Sequence, residues 1–238
     1  MDYKIGEGLV LEETGINIQN ERSLHASIIS WYSKEGDRFE VKVDGFIIDI
    51  VRDNLLIEIQ TRNFSAIGRK LRSLLKNHKV KLVYPVPVEK LIITIDAQDG
   101  SVISKRKSPK KGSAVEVFNE LVRIPDLIND ENFMIEILLI REEEIRCKDG
   151  KGSWRRKGTS IIDRKLLEVT GQVLLCNKED FLKFLSPELN QSFTNKILAQ
   201  NMCIPISKVR KMTYCMRKMG VIMETGKIGN ELLLSIVT

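Results

Sequence analysis

Cysteine and histidine are scarce in this chain, and their scarcity argues against several kinds of site. The 238 residues contain four cysteines, at positions 147, 176, 203 and 215, with no close pair, so neither a zinc ribbon nor a dense disulfide framework is expected. Two histidines, His25 and His78, are too few for a histidine-rich metal site and make a Ser/His/Asp triad hard to assemble. A catalytic metal would therefore have to be held mainly by oxygen.

Long apolar runs are also missing. No run reaches the roughly 20 residues of a membrane span, and the N-terminal segment is too acidic and too poor in apolar residues for a signal peptide. Only 6 prolines and 15 glycines accompany 42% hydrophobic and 29% charged residues, which is a globular composition. We therefore expect a soluble, cytoplasmic protein.

Positive charge is concentrated in the later parts of the chain. The net charge is +6, yet residues 1–100 carry 14 Lys and Arg against 15 Asp and Glu, whereas residues 186–238 carry 7 against 3. A near-neutral body followed by basic segments is typical of a protein that meets a polyanion, most often nucleic acid. Solvated basic faces without a partner are the alternative.

The first hundred residues predict a helix, an antiparallel meander and a crossover. Helical spacing covers residues 20–34, and a period of two then begins at Phe39, with a hairpin turn at Asp44-Gly45. Because a helix separates the third and fourth strands, these two strands should be parallel and joined right-handedly. The predicted elements are strands at 39–43, 46–51, 55–60, 80–86 and 89–96, and a helix at 64–77.

The remainder of the chain divides into a basic intermediate region and a clearer C-terminal unit. Residues 97–113 predict a linker or exposed loop, followed by a helix near 114–129, an extended segment at 133–146 and a run after 158 whose period is ambiguous. Asn177 is expected to cap a helix at 177–185, with Asp180 three residues later.

The last 50 residues predict a helix, a turn, a second helix and a hairpin. Thr194 and Ser207 are placed to cap the two helices, and Gly220 stands where a left-handed C-cap is expected. This order is the winged-helix arrangement, in which the second helix enters the major groove of DNA. Winged helices also mediate protein contacts, which is the alternative.

Two acids on adjacent predicted strands form the strongest chemical signal. Asp49 is followed, nine residues later, by Glu58-Ile59-Gln60, and a tight meander can bring Asp49 beside Glu58 and Gln60 on one face. Two converging carboxylates suit Mg²⁺ or Mn²⁺, with water and a substrate phosphate completing the coordination. The aliphatic neighbours imply that these polar residues need a partner or a purpose; a chance pair of acids is the alternative.

With these residues the chain resembles the PD-(D/E)XK nuclease superfamily. The resemblance covers roughly residues 18–96 and rests on Glu21, on IIDIV around Asp49, on LLIEIQT around Glu58 and Gln60, and on the helix starting near Phe64. It implies a restriction-endonuclease-like mixed sheet flanked by helices and metal-dependent hydrolysis of phosphodiester bonds. Asp49 and Glu58 resemble the metal-binding acids, the Ile59 carbonyl a third ligand, and Glu21 the acid of the first helix.

Two positions depart from the family pattern. Ile48 stands where the family name has proline, and Gln60 stands where it has lysine. Glutamine can orient groups only by hydrogen bonds, whereas lysine supplies a charge, although some superfamily members use glutamine there. Lys70 could reach the site and replace that charge, but a solvated helix face is the favoured interpretation. Asp44 favours a turn role, and His25 is expected to be packed or to face substrate.

Basic and aromatic residues supply the predicted contacts to DNA. A tryptophan beside cations suits phosphate contact and stacking, and exposed cations on the second C-terminal helix suit a groove. Flexible solvated loops are the alternative for the first two clusters. The candidates are Lys105, Arg106, Lys107, Lys110, Lys111, Trp154, Arg155, Arg156, Lys157, Lys208, Arg210, Lys211, Tyr214, Arg217, Lys218 and Lys227.

The sequence thus predicts an α/β protein with three parts: a nuclease-like domain at 1–100, a basic α+β region at 101–185 and a winged-helix domain at 186–238. The expected function is a Mg²⁺- or Mn²⁺-dependent DNA endonuclease that acts on duplex DNA, without a membrane partner. Cutting both strands commonly takes two active sites, which leaves a homodimer open. Alternatives are an inactive nuclease-like DNA-binding regulator and an RNA-processing enzyme.

Overall fold

A computed structural model describes residues 16–186, 189 and 192–237, with side chains from residue 23 onward. The chain forms a mixed sheet of seven strands, in the order β1 (Arg38–Val43), β2 (Phe46–Arg52), β3 (Leu55–Ile59), β4 (Lys79–Asp96), β6 (Phe133–Lys148) and β7 (Ser160–Leu175), with β5 (Val102–Lys107) also paired to β4. A second sheet has the order β8 (Ser192–Phe193), β10 (Glu231–Ile236) and β9 (Ile222–Ile228). Helices α1 (Ile16–Tyr32) and α2 (Phe64–Leu74) flank the larger sheet. No helix of the described residues is long and apolar enough to cross a membrane.

The predicted meander and the predicted parallel pairing of the third and fourth strands are confirmed. β1 (Arg38–Val43), β2 (Phe46–Arg52) and β3 (Leu55–Ile59) pair antiparallel in sequence order. Asp44 and Gly45 both have positive φ, at 48° and 84°, as a tight hairpin turn requires. After α2 the chain returns as β4 (Lys79–Asp96), which runs parallel to β3.

Two hydrophobic clusters sandwich the sheet. Adjacent residues such as Leu56 and Ile57 belong to different clusters, because successive side chains of a strand point to opposite faces. The cluster under α1 contains Leu24, Ile28, Tyr32, Ile50, Ile57 and Val83. The other contains Leu56, Phe64, Leu71, Leu74, Leu82, Phe118, Met212 and Met216.

The intermediate region extends this sheet. Several predictions for residues 80–129 were wrong. The two strands predicted at 80–86 and 89–96 are one strand, β4, which passes through two prolines with a register shift between Pro87 and Glu89. The predicted loop contains β5 (Val102–Lys107), and the predicted helix near 114–129 is broken into short turns around α3 (Phe118–Leu121). Proline ends helical turns because it lacks the amide donor, and Pro125 lies in this stretch.

The long strands β6 (Phe133–Lys148) and β7 (Ser160–Leu175) complete the sheet on the far side of β4. The sheet therefore runs across residue 100, where the sequence placed a domain boundary. Side chains from both sides of that boundary share one hydrophobic cluster. The structure thus places the candidate acids and the intermediate region in a single packed body.

The C-terminal order of elements matches the predicted helix, turn, helix and hairpin. Asn177 forms the expected capping box with Asp180, on a 3₁₀ helix (Lys178–Phe184), and Thr194 caps α4 as predicted. The predicted Ser207 cap was wrong, because the second helix begins at Ile206 and already includes Ser207. Pro205 stands at the cap position, without a side-chain hydrogen bond. The elements are β8 (Ser192–Phe193), α4 (Asn195–Met202), α5 (Ile206–Met219), β9 (Ile222–Ile228) and β10 (Glu231–Ile236).

Candidate functional site

Asp49 and Glu58 occupy facing positions where β2 and β3 part. The ladder between the two strands runs from Arg52↔Leu55 to Ile50↔Ile57, and the two acids are the next pair in that register. The Ile59 N–H donates to Asp49 Oδ2 at 2.7 Å, so a carboxylate takes the place of a ladder partner. The strands therefore open at the position that carries both acids.

The regular alternation of β2 is interrupted at Asp49. Ile48 packs in one hydrophobic cluster and Ile50 in the other, although residues two apart on a regular strand share a face. Across the β1 ladder, the position facing Asp49 is Glu40, which lies between the pairs Phe39↔Ile50 and Val41↔Ile48. Glu40 has φ +50°, a left-handed conformation that is costly for a residue with a side chain.

The Glu58 carboxylate is buried and is approached by a lysine from α2. Its residue is 5% exposed, and Lys70 Nζ lies 2.6 Å from Oε1. Lys70 Nζ also donates to the Ile47 carbonyl at 2.5 Å, so the lysine is held by β2 as well as by the acid. The solvated helix face that the sequence favoured for Lys70 was therefore wrong.

Burial and the neighbouring acid perturb the Glu58 carboxyl. The pKa of Glu58 is raised to about 7. Burial is the largest cause, the negative charge of Asp49 also raises the pKa, and Lys70 lowers it. A carboxyl with a pKa near neutrality is poised to gain or lose a proton under ordinary conditions, and such groups are concentrated at functional sites.

His25 brings a second basic group to the acids. Its Nε2 lies 3.1 Å from Asp49 Oδ2, and this hydrogen bond raises the pKa of His25 against the opposing effect of burial. The sequence favoured a packed histidine and did not place it on Asp49. His25 and the predicted catalytic acid Glu21 lie four residues apart on α1 and therefore share one face of the helix. This spacing was the signal in the sequence that could have placed His25 at the acids.

The other predicted site residues lie around this pair in different ways. Glu21 is in α1, but its side chain lies outside the described residues. The Gln60 side-chain amide donates to the Arg62 carbonyl, and so binds its own loop. Asp44 stays in its turn and contacts His78 Nε2 at 3.0 Å, in keeping with the turn role.

The two carboxylates offer the oxygen ligands that a hard cation prefers, but they are few. Among the described residues no three His, Cys, Asp or Glu side chains form a group that could hold a metal ion. Magnesium is commonly bound by one or two carboxylates, with water and substrate oxygens in the remaining positions. Asp49 and Glu58 would be the side chains to hold it, and the Ile59 carbonyl lies on the strand between the two candidates Glu58 and Gln60.

The basic loop residues are exposed and well separated from the acids in sequence. β5 carries Lys105, Arg106 and Lys107 fully on the surface, and Lys110 and Lys111 follow it. Trp154 is 83% exposed, with the Arg155 guanidinium 5.4 Å from its ring centre. Arg156 donates to the Thr159 carbonyl at 3.1 Å, and Lys157 is exposed with φ +51°.

The cations of α5 divide into two groups. Lys208 pairs with Glu116, and Lys211 Nζ donates to Asn119 Oδ1 at 2.8 Å. These two lysines therefore hold α5 against the short helical turns at residues 114–121. On the remaining face, exposed residues recur at spacings of three and four. They are Arg210, Tyr214 and Lys218, together with Arg217, which is half-buried and lies 3.2 Å from Glu224. Lys227 on β9 is also exposed.

The comparisons with known proteins concern the same part of the chain. The family described as "Domain of unknown function (DUF8091)" matches residues 22–176, a range that includes His25, Asp49, Glu58 and Lys70. An "Uncharacterized protein" of Treponema pallidum (strain Nichols) is 38% identical over 186 residues, covering 78% of this chain and 74% of the relative. No solved structure matches. Since the family match spans more than half of its length, the chain belongs to the DUF8091 family.

Proposed function

We propose that this protein is a metal-dependent endonuclease that hydrolyses phosphodiester bonds in DNA, built on a PD-(D/E)XK-type core. The observation that carries the proposal is the meeting of Asp49 and Glu58 where β2 and β3 part, with the Ile59 N–H on Asp49 at 2.7 Å. Interrupted alternation and a left-handed Glu40 accompany them. Strain of this kind is typically retained at functional sites.

The two acids would hold Mg²⁺ or Mn²⁺, which supplies an activated water and shields charge on the phosphate when it is bound. Asp49 is oriented for this by the Ile59 N–H and by His25. Glu58 is oriented by Lys70, whose ammonium would supply the positive charge that Gln60 lacks at the family's lysine position. His25 and Lys70 would also neutralise the acids in the absence of metal.

The C-terminal unit would place the core on duplex DNA as a winged helix. The exposed stripe of α5, namely Arg210, Tyr214, Arg217 and Lys218, would face the groove, and Lys227 on β9 would contact the backbone. Lys208 and Lys211 contact Glu116 and Asn119 instead, so they do not belong to this surface. The exposed Trp154 beside Arg155 suits contact with a phosphate and stacking.

The proposal is tested by incubating the full chain with supercoiled, linear and branched DNA in Mg²⁺, in Mn²⁺ and in EDTA. Metal-dependent strand cleavage is the expected result, and structured RNA is the competing substrate. RNA cleavage in preference to DNA would support the RNA-processing alternative. Absence of cleavage in every substrate would contradict the nuclease proposal.

A second candidate, a catalytically inactive DNA-binding regulator, is favoured by one observation. Gln60 stands at the family's lysine position, and its amide is engaged by the Arg62 carbonyl. In that case the ion pairs of His25 and Lys70 would serve as permanent partners of the acids. Binding to DNA without cleavage would distinguish this candidate from the first.

Binding to DNA should depend on the exposed stripe of α5. We expect Arg210→Ala and Lys218→Ala each to weaken duplex binding and to reduce the slope of log K against log salt by about 1, because each would remove one phosphate contact. Fluorescence anisotropy over a salt series measures both quantities. Lys76→Ala, at an exposed lysine outside the basic segments, is the matched control and should leave the slope unchanged; equal effects of all three variants would refute the assignment.

A further inference from the structure

A separate cavity lies further along β4, away from the ladder that carries Asp49 and Glu58. Its volume is about 260 Å³, and it is enclosed by β4, by the segment 108–112 and by β6. No part of the proposed hydrolytic site uses it. Its lining includes Tyr84, Lys90, Ser108, Lys110, Glu116 and Arg146.

One wall of the cavity is fixed by the backbone. The Ser108 N–H donates to the Lys90 carbonyl at 2.8 Å, and the Gly112 N–H donates to the Pro87 carbonyl at 3.0 Å. A Cβ at Gly112 would come within 2.4 Å of the Pro87 oxygen, so glycine is needed for this close approach. The segment between the two bonds is therefore held against β4 at both ends.

Positive charge is in excess beside the cavity. Lys90 Nζ lies 2.7 Å from Glu142 and 2.6 Å from Glu144, and Arg146 and Arg164 also contact Glu144, at 2.6 and 3.3 Å. Both glutamates are 1% exposed, so three cations are arranged around two buried carboxylates. Each cation has a carboxylate partner, but the three cations carry one more charge than the two carboxylates, and this excess favours an anion as an additional partner.

Two further groups on the cavity lining lack partners. Tyr84 is 9% exposed, and its hydroxyl makes no hydrogen bond within the described part of the chain; burial and the charges of Glu120 and Glu116 raise its pKa, so it remains a neutral donor. Lys110 is exposed and makes no ion pair with any described residue. The Tyr84 hydroxyl and the Lys110 ammonium are therefore both available to donate to a ligand in the cavity.

We propose that this cavity binds a phosphate group, held by Lys90, Lys110 and Arg146 and by the Tyr84 hydroxyl. A tetrahedral oxyanion matches several converging donors, and arginine and lysine are the usual partners of phosphate. The Glu116 carboxylate also lines the cavity, but it is neutralised by Lys208 of α5. The phosphate would belong to a free phosphorylated molecule or to a nucleic-acid backbone, and the site does not depend on the hydrolytic proposal.

The test is calorimetric titration of the full chain with inorganic pyrophosphate in metal-free buffer containing EDTA. Saturable binding is expected, and Lys110→Glu should weaken it by about tenfold or more, since it replaces an attractive charge with a repulsive one. Lys76→Glu is the matched control, because Lys76 is exposed, lies outside the basic segments and does not line the cavity. Its effect should stay within about twofold at physiological salt, where exposed charges are screened.

Competition with a duplex oligonucleotide distinguishes the two sources. Displacement of pyrophosphate by DNA assigns the cavity to a backbone phosphate, whereas simultaneous binding of both assigns it to a free phosphorylated molecule. Either result supports the site, and neither requires cleavage activity. Absence of saturable pyrophosphate binding, or equal weakening by Lys110→Glu and Lys76→Glu, would overturn the proposal.

Discussion

Replacement of Asp49 by asparagine is expected to reduce metal-dependent DNA cleavage by about 10³-fold, since a metal ligand contributes several kcal/mol to the stabilisation of charge in the transition state. Asparagine has nearly the same shape as aspartate, and its carbonyl oxygen can still accept the Ile59 N–H that Asp49 accepts at 2.7 Å. Folding and DNA affinity should therefore be preserved. Initial rates of plasmid nicking at saturating Mg²⁺ measure the effect, and circular dichroism verifies the fold.

Asp53→Asn is the matched control for this substitution. Asp53 lies in the turn between β2 and β3, has φ +50° and carries the same charge, and asparagine tolerates this left-handed conformation. The control should cleave at the wild-type rate. A comparable rate for Asp49→Asn and wild type would remove Asp49 from the catalytic machinery, whereas equal losses in the two variants would point to a general effect of charge or stability.

The N-terminal half of the fold could be predicted from the sequence because its signals are local. The Asp44-Gly45 turn, the alternation around it and the amphipathic residues of α2 each specify one element, and a helix between β3 and β4 requires them to be parallel if they pair. The facing positions of Asp49 and Glu58 follow from the short second turn. Local pattern was therefore sufficient to place the two acids side by side.

The groups that surround the acids could not be predicted in the same way. Lys70 reaches Glu58 from α2, and His25 reaches Asp49 from α1, so both contacts depend on how helices pack on the two faces of the sheet. A helical pattern identifies the buried stripe but does not determine which flanking side chain ends near a given strand. Each helix thus supplies one basic group, and these contacts depend on tertiary packing.

Long-range pairing also decided the middle of the chain. The sequence predicted two strands at 80–86 and 89–96, yet β4 continues through Pro85 and Pro87 because it is paired with β6 along its length, and it accommodates the irregularity as a register shift. Likewise β5 carries no buried residue, and its pattern resembles a loop. Its pairing with β4 gives it a strand conformation that composition alone did not predict.

The burial of Glu58 predicts a pH-dependent gain in stability for Glu58→Gln. The pKa is about 7 in the folded protein against an ordinary value of 4.5, so folding favours the protonated carboxyl. Below the ordinary value the acid is neutral in both states and costs nothing. As the pH rises from about 4.5 to about 7, the unfolded chain ionises while the folded protein keeps the proton. Stability therefore falls across this range by about 3 kcal/mol in total relative to a residue that stays neutral, and it is level above pH 7.

Glutamine imitates the protonated acid, so Glu58→Gln should match wild type at pH 5 and exceed it by about 2 to 3 kcal/mol at pH 8.5. Lys70 keeps its bond to the Ile47 carbonyl in the variant, which limits the cost of losing its acidic partner. Urea unfolding in EDTA at the two pH values measures the difference. Glu35→Gln, at an exposed glutamate, is the control and should differ from wild type by the same amount at both pH values. If the free energies of unfolding of Glu58→Gln and wild type changed in parallel with pH, a raised pKa at Glu58 would be contradicted. A gain of this kind would mean that the fold retains Glu58 at a cost in stability, as is expected of a residue kept for its chemistry.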